Sequence, residues 1–199
     1  MRDARSWLLL TTSTSGATAS LRVTVWRRLR GLGALYLQSS VCLLPDRPAI
    51  RTAADGLHER VLRDAGSMRA LPMQVRDAQT HAGLVAELDT ARDLEYAEVL
   101  ERLPTGIAEL GHERERGRLT FDEVEESEVD LARFAAWVER IAARDYFDAP
   151  LRTQVDLALT EATQALRDFE ASAMQADNSG GADDARSERT RLHAVGEDR

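Results

Sequence analysis

The sequence predicts an α+β fold, with a ferredoxin-like βαββαβ sheet unit over residues 1–80, an acidic helical part over 81–175 and a disordered tail over 176–199. Three observations carry this reading. Apolar runs of strand length, bounded by Ser/Thr, Gly or Pro, occur only before residue 80. Beyond it apolar residues recur at helical spacing. The charge changes sign at the same place: residues 1–80 hold 12 Arg against 6 Asp and Glu, residues 81–199 hold 14 Arg against 28 acids.

The elements follow in order. "SWLLLTTS" is a short apolar run with a β-compatible Ser/Thr end, and "TSTSGATAS" supplies a turn and several N-cap residues for a helix. In "LRVTVWRRLRGLG" (21–33), rotation by about 100° per residue puts Leu21, Val25, Leu29 and Leu32 on one face, with Trp26 at its edge. That face packs on the sheet. "ALYLQSSVCLLP" is too long for one ordinary strand and is interrupted by "QSS", so it divides into strands near 34–38 and 40–44, the second ended by Pro45. "RPAIRTAADGLHERVLRDAG" has helical spacing at Ile50, Ala54, Leu57, Val61 and Leu62 and closes at Gly66. "SMRALPMQVRD" is the final strand, weakened by Pro72. Strand, helix, strand, strand, helix, strand is the split βαβ order.

Three amphipathic helices follow, "HAGLVAELDTARDLEYAEVLERL", "TFDEVEESEVDLARFAAWVERIAARDYF" and "LRTQVDLALTEATQALRDFEASAMQ", with breaks at Pro104 and Gly106, Gly117, and Pro150. In the second, Val124, Leu131, Phe134, Val138 and Ile141 form the core-facing stripe, with Trp137 at its edge. Its acidic start suits the helix dipole. A lone four-stranded layer would expose an apolar face, so the helical part is expected to cover it. From Ala176 onward the chain is polar and Gly-rich, which predicts disorder.

A chain of 199 residues suits one domain or two small ones, and 43% hydrophobic with 30% charged residues is an ordinary globular balance. The apolar run "WLLL" is too short for a signal peptide or a membrane span, which leaves a cytoplasmic location and no membrane partner as the expectation. One cysteine, Cys42, cannot form an internal disulfide. All 26 basic residues are Arg and none is Lys, so the choice of Arg carries no information and only its placement does.

That placement singles out the first helix, because the basic part of a chain of net charge −8 is the candidate for a polyanion. Arg27 and Arg30 fall opposite the apolar face with Val23, and Arg28 lies near its border. Arg22 projects between Leu29 and Trp26, inside the apolar arc. A guanidinium there needs a partner. It either pairs with a carboxylate of the helical part, on the 122–130 stretch, or meets an anion or phosphate. For Arg27, Arg28 and Arg30 the alternative to phosphate contact is a solvated helix face.

The succession "WLLL", "LRVTVWRRLRGLGALYLQSSVCLLP" and "GRLTFDEVEESEVDLARFAAWVERIAARDYF" resembles the N-terminal domain family of the chromate resistance protein ChrB, over roughly residues 6–170. Cys42 departs from it, standing where the family usually has an aromatic residue before Leu-Leu-Pro, and a separate C-terminal domain is expected to be missing. The resemblance implies a cytoplasmic transcriptional regulator linked to chromate resistance, acting on operator DNA. Joined to the basic helix, it makes Arg22, Arg27, Arg28 and Arg30 the expected DNA contacts. Chromate is a tetrahedral dianion suited to Arg with Ser or Thr donors, and Arg22 with Thr11, Thr12 and Ser13 is its candidate site. A homodimer through the helical part is a further expectation. The alternative is an accessory or protein-interaction member of the same system that does not bind DNA.

Other chemistry fails on spacing. "GLGALY" follows a helix and precedes a strand, the reverse of a dinucleotide loop, and reads as a helix C-cap. His58, His81, His112 and His193 lack metal-ligand spacing and read as surface residues. Cys42, in an apolar strand, reads as an inert core thiol. The carboxylates of "FDEVEESEVD" read as a solvated face. Small ferredoxin-like CRISPR nucleases hold a metal with an aspartate at the end of the first strand, where this chain has "LLLTTSTSG". No enzyme activity, metal or cofactor is therefore expected.

Overall fold

The computed structural model describes residues 5–16, 19–115 and 121–194. The elements are β1 (Ser6–Ser13), α1 (Ala19–Gly31), β2 (Leu35–Gln38), β3 (Val41–Pro45), α2 (Pro48–Arg63), β4 (Ser67–Gln74), α3 (Ala78–Glu115), α4 (Phe121–Ala142) and α5 (Arg152–Ala194). The strands pair antiparallel in the order β2-β3-β1-β4, so β3 lies between the two strands that α1 connects. This is the expected split βαβ sheet. Pro72 sits in β4, an edge strand, where a residue without an N–H is tolerated.

The chain divides into two compact units, Met1–Glu95 with Arg140–Pro150, and Tyr96–Glu139 with Leu151–Arg199. The division drawn at residue 80 from charge and periodicity thus falls later, and a short segment returns to the first unit. The reason lies in the two faces of the sheet. Alternation along the strands sends Leu8, Leu10, Cys42 and Leu44 to one face, where Leu21, Val25 and Leu29 of α1 and Ile50, Ala54, Leu57 and Val61 of α2 cover them. Trp7 and Leu43 point the other way and meet Val75 and Leu88, flanked by Leu84, Val85 and Phe147. The second face is therefore closed by the start of α3 and by the segment after α4. Each fully buried side chain of this kind contributes about 1.5–3 kcal/mol.

Both helices on the first face end in the same hydrogen-bonded device. After α1, the Gly33 N–H donates to Arg30 O (2.9 Å) and the Ala34 N–H to Leu29 O (3.0 Å), with Gly33 at φ +69°. After α2, Ala65 takes the left-handed position at φ 59°. The glycine there is displaced by one, because a Cβ on Gly66 would meet Val61 Cγ1 at 2.9 Å and Leu21 Cδ2 at 3.0 Å. Gly66 is kept for close packing.

α3 begins at Asp77, whose carboxylate accepts from the Thr80 N–H (2.6 Å) and hydroxyl and from the Gln79 N–H (3.3 Å). Thr80 foremost, these bonds hold the Asp77 carboxyl below its ordinary range. The helix runs through Pro104, an expected break, to Glu115. A single proline removes one backbone bond, and the turns on either side stay helical. In the second unit Tyr96, Val99 and Leu103 of α3, Val138 of α4, and Val155, Ala162, Leu166 and Phe169 of α5 are buried. Of the stripe expected on α4, Val138 and Ile141 are buried and Val124, Leu131 and Phe134 half-buried, while Arg102 lies 5.6 Å over the Trp137 ring. α4 ends at Ala142, ahead of Tyr146 and Phe147, and α5 continues to Ala194, through the segment expected as a tail from Ala176. Gly117, residues 195–199 and the side chains of His112 and His193 lie outside the described residues. Among the described residues no helix is long and apolar enough to cross a membrane.

Candidate functional site

α1 carries Arg22, Arg27, Arg28 and Arg30, and all four are exposed. This corrects the expectation for Arg22. Its side chain does not enter the apolar core, and its Nε donates to Thr14 Oγ1 at 3.4 Å. The physical reason is the neighbour of that helical turn: opposite Arg22 the sheet presents the hydroxyl-bearing end of β1 rather than the leucines farther along it. Among the described residues none of the four arginines pairs with a carboxylate.

Beside Arg22 lies a groove of about 540 Å³ between the end of β1, one flank of α1 and the β2–β3 turn, lined by Thr12, Ser13, Thr14, Arg22, Val23, Val25, Trp26, Tyr36, Ser39 and Ser40. The Thr12 N–H donates to Ser40 O (2.9 Å), which holds the strand end and the turn side by side. The groove thus brings together three of the four residues expected to bind an oxyanion, Arg22, Thr12 and Ser13. Thr11, one position farther back along β1, is not among its lining residues. Thr14, Tyr36, Ser39 and Ser40 were missed. The signal was present in "QSS", since the split βαβ order places the turn it forms next to the end of β1.

Residues 22, 26 and 30 are spaced four apart, so they form one stripe along the helix. Trp26 is 47% exposed, and the Arg30 guanidinium lies 5.1 Å from its ring centroid. By the same helical rotation Arg27 follows Arg30 round the helix, whereas Arg28 lies on the opposite border and outside the groove. Burial first, then Cys42, pushes the Tyr36 phenol above its ordinary value against a pull from Arg30, so it remains an O–H donor at neutral pH.

The helix that bears these groups is anchored at its far end. The Tyr146 hydroxyl donates to Leu32 O (2.6 Å) in the turn after α1, and Arg47 lies over the Tyr146 ring at 5.1 Å and donates to the Tyr146 carbonyl. Gly33, in that turn, lies against Arg92, a buried guanidinium whose Nη2 donates to Glu95 at 2.7 Å and whose Nη1 donates to Arg144 O at 3.5 Å.

Cys42 is 1% exposed, and burial pushes its thiol up to about 11. At pH 7 its thiolate fraction is then on the order of 10⁻⁴. A thiol reagent should label it only as fast as the native state opens, and rapid alkylation without denaturant would contradict this. His81 is half-buried rather than on the surface, in edge contact with Trp7 (5.8 Å between ring centres). Among the described residues no group of three or more His, Cys, Asp or Glu is placed to hold a metal.

A family model described as "Protein ChrB, N-terminal" matches residues 22–180. That span starts at Arg22 and takes in all of the α1 arginines, Trp26, Tyr36 and the Ser39–Ser40 turn. Protein ChrB of Cupriavidus metallidurans is 31% identical over 105 residues, which are 53% of this chain and 32% of that protein. The aligned part is about a third of the relative's length. With the family match running over most of its length, from α1 through β2–β4 and the helices that follow, the chain belongs to the ChrB N-terminal family.

Proposed function

We propose that this chain is a cytoplasmic regulator in a chromate resistance system, without catalytic activity, that binds operator DNA through α1. The supporting observation is that face itself: exposed arginines unpaired with any described carboxylate, set around a half-exposed tryptophan, in a chain of net charge −8. Arg22, Arg30 and Arg27 follow one another round the helix and suit phosphates along one strand. Arg28, on the other border, does not share that face. Chromate, in this reading, sits at Arg22 with the Thr12, Ser13 and Thr14 hydroxyls.

The test is the salt dependence of binding to DNA from upstream of the protein's own operon. Each phosphate contact contributes about 0.9 to the slope of log affinity against log salt. Replacing Arg27 and Arg30 with Ala should flatten the slope by about 1.8 per protomer. The melting temperature should hardly change, since both side chains are exposed. Arg28→Ala should leave the slope alone. Wild-type affinity and slope in the double variant would return the chain to the reading of an accessory protein.

A further inference from the structure

The groove beside Arg22 has room for much more than an inorganic oxyanion at its Arg22 end. A tetrahedral anion fills on the order of two waters' worth of space, about 60 Å³, whereas the groove offers about 540 Å³, within the range of small-molecule sites. Its lining is also divided by chemistry. At one end the Arg22 guanidinium faces the strand-end hydroxyls, and its Nη groups have no partner among the described residues. Along the helix flank stand Val23 and Trp26, 44% and 47% exposed, which give this wall of the groove an apolar surface. The Tyr36 and Ser39–Ser40 wall adds hydroxyls at the β2–β3 turn.

From this division we infer that the groove binds an aromatic phosphate of the mononucleotide class, its phosphate on Arg22 and the Thr12–Thr14 hydroxyls and its ring against Trp26. The inference rests on the reading of Arg22 as an anion-binding residue and adds the ring. Guanidinium with hydroxyl donors suits a phosphate, and an exposed indole suits the face of a base. Hydroxyls at the turn suit a ribose or the base edge.

The test compares adenosine 5′-monophosphate, ribose 5-phosphate, adenosine and inorganic phosphate by calorimetry on the full chain. The nucleotide should bind at least about tenfold more tightly than ribose 5-phosphate. Trp26→Ala should abolish that advantage without changing ribose 5-phosphate affinity, and Trp26→Phe should restore part of it. Arg22→Ala should weaken every phosphate probe, with an unchanged melting temperature showing that the fold is intact. Equal binding of nucleotide, ribose 5-phosphate and inorganic phosphate overturns the inference and leaves the anion site standing. If no probe binds, both fall. A single-stranded pentanucleotide binding more tightly than the free nucleotide assigns the groove to a base of a strand, and equal affinity assigns it to a free nucleotide.

Discussion

Trp7→Ala should lower the unfolding free energy by about 3–5 kcal/mol, the range for removing a large aromatic side chain from a core. Trp7 is fully buried and holds the second face of the sheet together. Its ring meets Phe147, which arrives from the far side of α4, and His81 from the first turn of α3, both at 5.8 Å between ring centres. Loss of the indole therefore opens a cavity and loosens two other segments at once. Its buried Nε1 has no acceptor among the described residues. Trp7→Phe should for that reason be much milder than Trp7→Ala, since it removes an unsatisfied donor along with some apolar volume. Urea unfolding followed by circular dichroism measures both. A loss below about 1 kcal/mol for Trp7→Ala would mean that the second face is not a core.

Gly33→Ala should destabilise by about 2–5 kcal/mol, through two effects that add. At φ +69° a side chain is strained by about 1–2 kcal/mol. The new Cβ would also lie 2.6 Å from Arg92 Nη1 and 3.1 Å from Arg144 Cβ. A long arginine side chain normally moves aside cheaply, but this one is 8% exposed and tied to Glu95, which Arg144 also binds. Displacing it would break a part-buried ion pair and leave a guanidinium that the core has already desolvated without its carboxylate. Arg92→Met combined with Gly33→Ala should recover part of the loss, because the obstruction is then a flexible apolar chain. Additive effects in that double variant would show that the guanidinium is not what confines position 33.

Most of the first unit was legible because local signals there agree with the tertiary arrangement. The apolar run Trp7 to Leu10 and the "QSS" interruption each name an element, the stripe at Leu21, Val25 and Leu29 names an element and its buried side, and the split βαβ order then sets the strand order. Arg22 shows where this stops. Its angular position is that of a border residue, and whether a border residue is buried depends on what lies across from it, here a hydroxylated strand end and a groove. Thr11 fails for a similar reason: adjacency in sequence put it in the anion site, whereas the groove takes in only the end of β1, from Thr12 onward. The role of Tyr146 and Phe147 was illegible, because both read as the continuation of an amphipathic helix and only the long-range contacts of Leu32 and Trp7 draw them out of it. The charge asymmetry drew the boundary at residue 80, yet apolar burial under the sheet carries it to Glu95.

The return of Arg140–Pro150 to the first unit has a consequence in time. A ribosome adds about 5–20 residues per second. After Glu95 has been made, Phe147 follows 52 residues later, so the sheet waits roughly 3–10 s for the last residue of its second face and for the tyrosine that fastens the turn after α1. During that interval Trp7 lacks the Phe147 side of its cover. The arginine helix acquires its fixed end only when the segment after α4 has emerged, so a message truncated before codon 140 would yield a basic helix without its anchor.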